Sequence, residues 1–254
     1  IRDRSPSRGL GDVYKRQDIN SDMGEIPRLL DDGTYSRLMD YVTSINIACG
    51  GHAGDEAMMG EMVRLAKQKG VKVGAHPSYP DRENFGRIDM DMDIDELTDS
   101  IRDQIQLLNN IALDQKVKIS HVKPHGAVYN RAAKDKTVAH ALGEAITQVD
   151  PSLKVMGLAG SIMLDVFDQM GLAIMAEAFA DRTYESDGSL RNRKHDDALI
   201  TDPVKATKQT EMMVSGKIIA VDGSKVAINA QTLCIHSDTP NAVEIAKAVN
   251  KVIS

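Results

Sequence analysis

Tryptophan is absent from this 254-residue chain, aromatic residues make up only 4%, and cysteine occurs twice. With a formal net charge of −6 as well, there is neither the basic stripe nor the aromatic ladder that a nucleic-acid surface needs. Cys49 and Cys234 lie far apart and each ends an apolar run, which predicts buried thiols rather than a disulfide framework. No apolar run approaches the roughly 18 to 20 residues that span a bilayer. A secretory signal pattern is missing too. These absences point to a cytoplasmic protein with no membrane or nucleic-acid partner. The chain also lacks G-x-x-x-x-G-K-S/T, G-x-G-x-x-G and H-E-x-x-H, so no standard nucleotide loop or short metal signature is present.

What is present is an ordinary globular composition, 42% hydrophobic and 27% charged, with 13 methionines to fill an adaptable core. The length suits one large α/β domain. Residues 1–17, rich in Arg, Ser and Gly and without periodicity, break off abruptly at Asp18-Ile19-Asn20. They are expected to be a non-native N-terminal segment, which leaves 18–254 as a single domain whose first strand lacks its natural start.

The organising stretch is Ser44-Ile45-Asn46-Ile47-Ala48-Cys49-Gly50-Gly51-His52-Ala53-Gly54-Asp55. Strand formers end in glycines and a histidine, and an acid able to cap precedes the helical spacing of Met58, Met59, Met62, Val63, Leu65 and Ala66. The same strand-turn-helix grammar recurs. Strands are predicted at 71–75, 119–123, 153–158, 172–176 and 232–235, and helices at 35–41, 94–114, 137–149, 161–170 and 202–215. Asp202 and Pro203 mark the start of the last of these helices. Residues 183–197 read as a polar excursion, and 218–228 as a hairpin turning on Asp222-Gly223. About seven β-then-α units imply a parallel sheet and a (β/α)7 TIM-like barrel with a small inserted hairpin.

In such a barrel the site gathers at the carboxyl ends of the strands. His52, His76, His125 and His236, with Asp22, Glu25, Asp81, Glu177, Asp181 and Asp238, all fall just after strands. His121 and Lys123 share one face of their strand if it is regular. This inventory fits acid/base or metal-assisted hydrolysis of a small, polar, anionic substrate. Lys123 and the N–H groups around Gly50 to Gly54 are the expected anion clamp, and an imidazole with a carboxylate the expected activator of water.

Six stretches together, Asp18 to Glu25, Asn46 to Asp55, Gly74 to Asp81, His121 to Ala127, Glu177 to Arg182 and His236 to Pro240, resemble in order the motif series of the LamB/YcsF family. Departures are Gly51, where that pattern carries a bulkier residue, and 26–30, which lack its Gly-rich continuation. The resemblance implies a barrel akin to the glycoside hydrolase and deacetylase superfamily. It also implies ATP-dependent opening of 5-oxoproline (pyroglutamate) to L-glutamate, with ATP as co-substrate of a 5-oxoprolinase complex in which this chain is the A subunit beside B and C subunits. On this reading Asp22, Glu25, His52 and His125 are the catalytic candidates. Asn20, Asn46, Gly50, Gly51, His76, Asp81, Lys123, Glu177, Asp181, His236 and Asp238 are the substrate-binding candidates. Two alternatives stand beside it. One is a metal-dependent deacetylase or amidohydrolase acting on a small polar or carbohydrate substrate, with Asp22, His52, His76 and His125 holding a divalent cation. The other is a non-catalytic lactam-binding subunit, and a homo-oligomer is compatible with all three.

Overall fold

The barrel closes because seven short strands, most of them buried on both faces, pair only in parallel. The computed structural model describes residues 17–253; the expectation for 1–17 therefore lies outside the described residues except at Gln17, whose side-chain amide donates to Ala230 O. The strands are β1 (Asp18–Met23), β2 (Ser44–Ala48), β3 (Lys72–His76), β4 (Ile119–Val122), β5 (Lys154–Leu158), β6 (Ala173–Phe179) and β9 (Thr232–Cys234). They pair in chain order, and β9 sits between β6 and β1 to complete the ring. Strands β7 (Lys217–Ile219) and β8 (Lys225–Ala227) form a separate antiparallel hairpin, as the sequence predicts.

Helices pack around this ring through apolar stripes. In α4 (Ile94–Asp114), Leu97, Ile101, Ile105 and Leu108 are buried at helical spacing. Asp93 caps it by accepting from the Asp95 and Glu96 amides, and helix α3 (Glu56–Lys69) is capped by Asp55 and ended by Gly70 in the left-handed region. Asp135 caps α6 (Lys136–Val149), and Asp202 caps α8 (Pro203–Val214). Helices α7 (Ile162–Gln169) and α9 (Ala242–Ile253) complete the outer layer. Among the described residues no helix is long and apolar enough to cross a membrane.

Several elements differ from expectation. The single helix predicted at 35–41 is two short ones, α1 (Pro27–Asp31) and α2 (Thr34–Leu38). Helix α5 (Gly126–Ala132) escapes the sequence pattern because it starts directly on the Pro124-His125 turn. Strand β6 runs past Ala176 and takes Glu177 into the sheet. The excursion at 183–197 is not wholly polar surface: Tyr184 is fully buried, and its hydroxyl accepts from the Phe179 amide.

Inside the ring the packing is polar. Asn20 donates to Glu177 and Thr232, and Asn46 donates to Asn20 and Asp22. His121 binds Asn46 Oδ1 through Nε2 at 2.8 Å. Strand β4 is not regular, since the register steps from Val73↔Ile119 to Gly74↔His121, bulging Ser120. That bulge sets the His121 ring over Gly74, where a Cβ would overlap the imidazole. Gly74→Ala is expected to cost about 1 to 3 kcal/mol through overpacking. Urea denaturation checks this, and an unchanged midpoint would contradict the packing.

Candidate active site

Strand alternation turns Asn20 and Asp22 of β1, Asn46 of β2, His76 of β3 and Glu177 of β6 inward, and the β4 run continues to Lys123. Lys123 Nζ lies 3.0 Å from Asp22 Oδ1, 2.9 Å from Glu177 Oε1 and 3.0 Å from Cys234 Sγ, and 5.1 Å over the Phe179 ring. Burial alone would lower this lysine, but Asp22, Cys234 and Glu177 hold its ammonium well above the usual range. Burial likewise would raise Asp22, yet His76 and Lys123 keep its carboxyl well below the ordinary value. Both groups are therefore charged at neutral pH. Tyr129 donates to the second Glu177 oxygen at 2.8 Å.

Above this ion pair four side chains converge. His52 Nε2 is 3.0 Å from Glu25 Oε1, and His125 Nδ1 is 3.3 Å from the same oxygen and 3.0 Å from His76 Nε2. His76 Nε2 also reaches Asp22 Oδ2 at 3.4 Å. The His52 and His125 rings stack with centroids 3.6 Å apart. Each imidazole spends its other nitrogen on an outward acceptor. His76 Nδ1 donates to Lys123 O at 2.7 Å, and His125 Nε2 donates to Phe85 O at 2.9 Å. His52 Nδ1 meets Ser78 Oγ at 2.9 Å, and since that hydroxyl gives its own proton to Tyr79 O, it must accept from the imidazole. Three inner nitrogens thus face one another and Glu25 as acceptors.

Acceptors this close need a proton or a cation between them. Burial would lower His76, but Asp22 outweighs it and raises the ring, so His76 is the group that takes a proton. Burial pulls His52 and His125 down, the latter well below its ordinary value with help from the His52 and His76 charges. One proton on His76 then satisfies His125 and Asp22 but leaves His52 Nε2 facing Glu25. Ligand atoms of Glu25, His52, His76 and His125 all lie within 4.8 Å of one another, a nitrogen-rich donor set able to hold a metal ion. The sequence points to Asp22 with the three histidines; the structure puts Glu25 at their centre.

The cleft that opens onto this floor has a volume of about 930 Å3, and Asp22, Glu25, His76, Lys123, His125 and His236 line it. His236 Nδ1 lies 3.0 Å from Asp181 Oδ2, its ring stacks on Phe179 at 5.5 Å, and its Nε2 is 3.9 Å from Asp22. The other candidates stand behind these. Asn20, Asn46 and Glu177 fix Lys123 and Asp22, and Asp181 fixes His236. His52 sits behind His125.

Three expectations need correction. The glycine turn does not line the cleft: the Gly50 N–H is spent on Ala53 O at 2.9 Å, and Arg82 covers the Gly50 and Gly54 carbonyls. Gly51 instead leaves room for the Gln104 and Ser78 side chains. Lys123 is too fully committed to two carboxylates to clamp an anion. Asp81 serves its own loop by accepting from Asn84, and Asp238 is held by Arg87 at 2.9 Å. Missed from the sequence are Ser78, Phe85, Tyr129, Phe179 and Cys234, whose roles arise from contacts across the ring.

A closed parallel barrel with carboxylates and imidazoles at the carboxyl ends of its strands has the architecture of the barrel enzymes. The LamB/YcsF family model matches residues 17–254, and the chain belongs to that family. It is 46% identical over 235 residues to the 5-oxoprolinase A subunit of Chloroflexus aurantiacus, covering 92% of this chain and 93% of that one. Against the 5-oxoprolinase A subunit of Halalkalibacterium halodurans it is 44% identical over 237 residues, covering 93% and 92%. The crystal structure of the lactam utilization protein from Thermus thermophilus superposes with a TM-score of 0.86 at 38% identity, over 93% of this chain and 95% of that one.

Burial would raise the Asp181 carboxyl, but His236 and Thr239 hold it down at about 2, against an unperturbed 3.8. A depressed carboxyl stabilises the fold above its unfolded value, and that contribution is lost as pH falls through about 2. Asp181→Asn is expected to cost about 2 kcal/mol near neutral pH and to converge on the wild type only below about pH 2. Denaturant midpoints across that range check it, and equal midpoints at neutral pH would contradict it.

Proposed function

We propose that this chain is the A subunit of an ATP-dependent 5-oxoprolinase and opens 5-oxo-L-proline to L-glutamate together with B and C subunits. The observation that carries the reading is the convergence of Glu25, His52, His76 and His125 over the Lys123–Asp22 pair, in a family whose relatives bear that name. A ring amide resists water because its nitrogen lone pair is delocalised into the carbonyl. Transfer of the ATP γ-phosphoryl group to the lactam oxygen, with release of ADP, makes the ring carbon electrophilic. Water then adds to that carbon, the C–N bond breaks as the departing nitrogen takes up a proton, and a second water hydrolyses the acyl phosphate so formed to L-glutamate and inorganic phosphate.

This chain supplies the proton traffic. His125, kept neutral by burial and lining the cleft, is able to accept the proton of the attacking water, with the His52 ring stacked behind it. His76, whose ring Asp22 raises above its ordinary value, is the imidazole suited to return a proton to the ring nitrogen. Lys123 holds Asp22 charged and in place. No nucleotide loop of standard form occurs in the sequence, so ATP is bound at least in part by a partner subunit. We place the complex in the cytoplasm, where ATP is at hand and the free thiols of Cys49 and Cys234 stay reduced.

ATP hydrolysis and 5-oxoproline turnover, measured on the chain alone and with the B and C subunits, test the assignment. Turnover is expected only in the assembled complex, and full turnover by the isolated chain would sink the division of labour. His125→Ala is expected to lower kcat of the complex by about 10²- to 10⁴-fold while ligand affinity stays within a few-fold. Unchanged kcat would favour a non-catalytic lactam-binding subunit.

The facing lone pairs favour a second reading, in which Glu25, His52, His76 and His125 hold a divalent cation. Bound there, a cation would supply Lewis-acid polarisation of a carbonyl or activation of water. Zinc or cobalt is expected to raise the thermal midpoint of the wild type, and His76→Ala to abolish that shift. An equal shift in both proteins would place the metal elsewhere.

A further inference from the structure

With Lys123 neutralised by two carboxylates and the glycine turn facing away, the cleft still needs a group to hold an anionic ligand. Its wall supplies one. Arg87, Arg182, Arg191, Arg193 and Lys194 all line the cleft. Arg191 is paired with Glu185 at 2.9 Å and with Asp197 at 2.6 Å, and Arg87 with Asp238 at 2.9 Å. Arg182 stands apart from these. It is 6% exposed, its Nε donates to Ala198 O at 3.2 Å and one Nη to Arg191 O at 2.6 Å, and among the described residues no carboxylate binds it.

The neighbouring Asp181 is not available, because both its oxygens are spent on His236 and Thr239. The charge that acts most strongly on Arg182 is another cation. Burial, then the Arg193 guanidinium, pull it down to about 10, which still leaves it fully protonated at neutral pH. Among the described residues Arg193 itself reaches only Asp238, at 3.4 Å, a carboxylate already taken by Arg87. A buried guanidinium beside a second one, with only carbonyl partners, is costly in a protein that binds nothing there, and an arriving oxyanion removes the cost.

We propose that Arg182 and Arg193 form the oxyanion receptor of the cleft, taking the carboxylate of the ligand whose reacting amide lies over the histidines. The chemistry they recognise, a planar or tetrahedral oxyanion, is shared by that carboxylate and by a phosphoryl group. The identity of the carboxylate as that of 5-oxoproline rests on the function proposed above, whereas the receptor rests on the arginines alone.

Calorimetric titration of the full chain tests it with three probes: 5-oxoproline, 2-pyrrolidinone, which is the same ring without the carboxylate, and inorganic phosphate. The expected result is a tenfold or greater loss of 5-oxoproline affinity in Arg193→Gln and in Arg182→Gln, with 2-pyrrolidinone weak in the wild type and unchanged by either variant. Phosphate binding that outcompetes 5-oxoproline and disappears in the same variants would support the receptor and assign it to the phosphoryl source. The proposal is overturned if Arg193→Gln keeps wild-type affinity for both anions, if 2-pyrrolidinone binds the wild type as tightly as 5-oxoproline, or if the wild type binds none of the three. Arg193 is partly exposed with one long ion pair, so its variant decides the matter should Arg182→Gln fail to fold. Turnover by the assembled wild-type complex is scored separately, so failure of the lactam-opening reading is distinguishable from failure of the receptor.

Discussion

A lysine ammonium buried inside a closed β-barrel governs everything around it. Taking Lys123 out of water costs several kcal/mol in effective terms, and so does taking each carboxylate beside it. The three tolerate burial only as a set, with Asp22 and Glu177 each within about 3 Å of Nζ. Two carboxylates on one ammonium leave negative charge in excess, and Glu25 adds to it. That excess is what raises His76 and draws a proton, or a cation, to the inner nitrogens of the histidines. The imidazole cluster is therefore an electrostatic consequence of the barrel floor as well as a neighbour of it.

The same constraint explains why the barrel interior is polar where one filled by branched aliphatics would be more stable. Asp18 at the foot of the ring accepts from Ser44 and Thr232, and Asn20, Asn46 and His121 relay hydrogen bonds upward to Asp22 and Glu177. Burial drives His121 down to about 4, so it remains neutral and acts as a donor strut. Every member of this relay has a partner, which is the condition for such a network to hold one arrangement. Charge is then layered through the site. Carboxylates around one lysine lie lowest, imidazoles with Glu25 above them, and guanidiniums line the cleft wall.

Much of this is legible in the chain, and the limits have physical causes. Helix α4 can be read from 94 to 114 because its apolar spacing and its Asp93 cap are local facts, independent of tertiary structure. The (β/α)7 ring follows from alternation, and the gathering of His52, His76, His125 and His236 from their place at or just past strand ends. The partners of Lys123 are not legible. Glu177 and Cys234 meet it only because β9 closes the ring between β6 and β1, a long-range pairing that leaves no periodic trace. Reading Lys123 as a free clamp fails for that reason. The burial of Arg182 is hidden in the same way, since the segment that follows it, 183–197, looks like surface until Tyr184 and the Arg182↔Leu199 bridge fold it inward.

The glycine-histidine turn organises the site, though not by touching a ligand. A side chain at Gly51 would overlap Gln104 and Ser78. With that space clear, Gln104 of α4 clamps the Ser78 backbone from both sides, accepting from its N–H at 3.0 Å and donating to its C=O at 2.8 Å. The clamped Ser78 passes its hydroxyl proton to Tyr79 O and so can only accept from His52. That acceptance puts the His52 proton on Nδ1 and leaves Nε2 bare toward Glu25. An outer helix thus sets the tautomer of an imidazole it does not touch, through a serine whose hydroxyl has room only beside glycine. The chemistry of the site depends on this relay as much as on the histidine itself, because the opposite tautomer would present an N–H where an acceptor is needed.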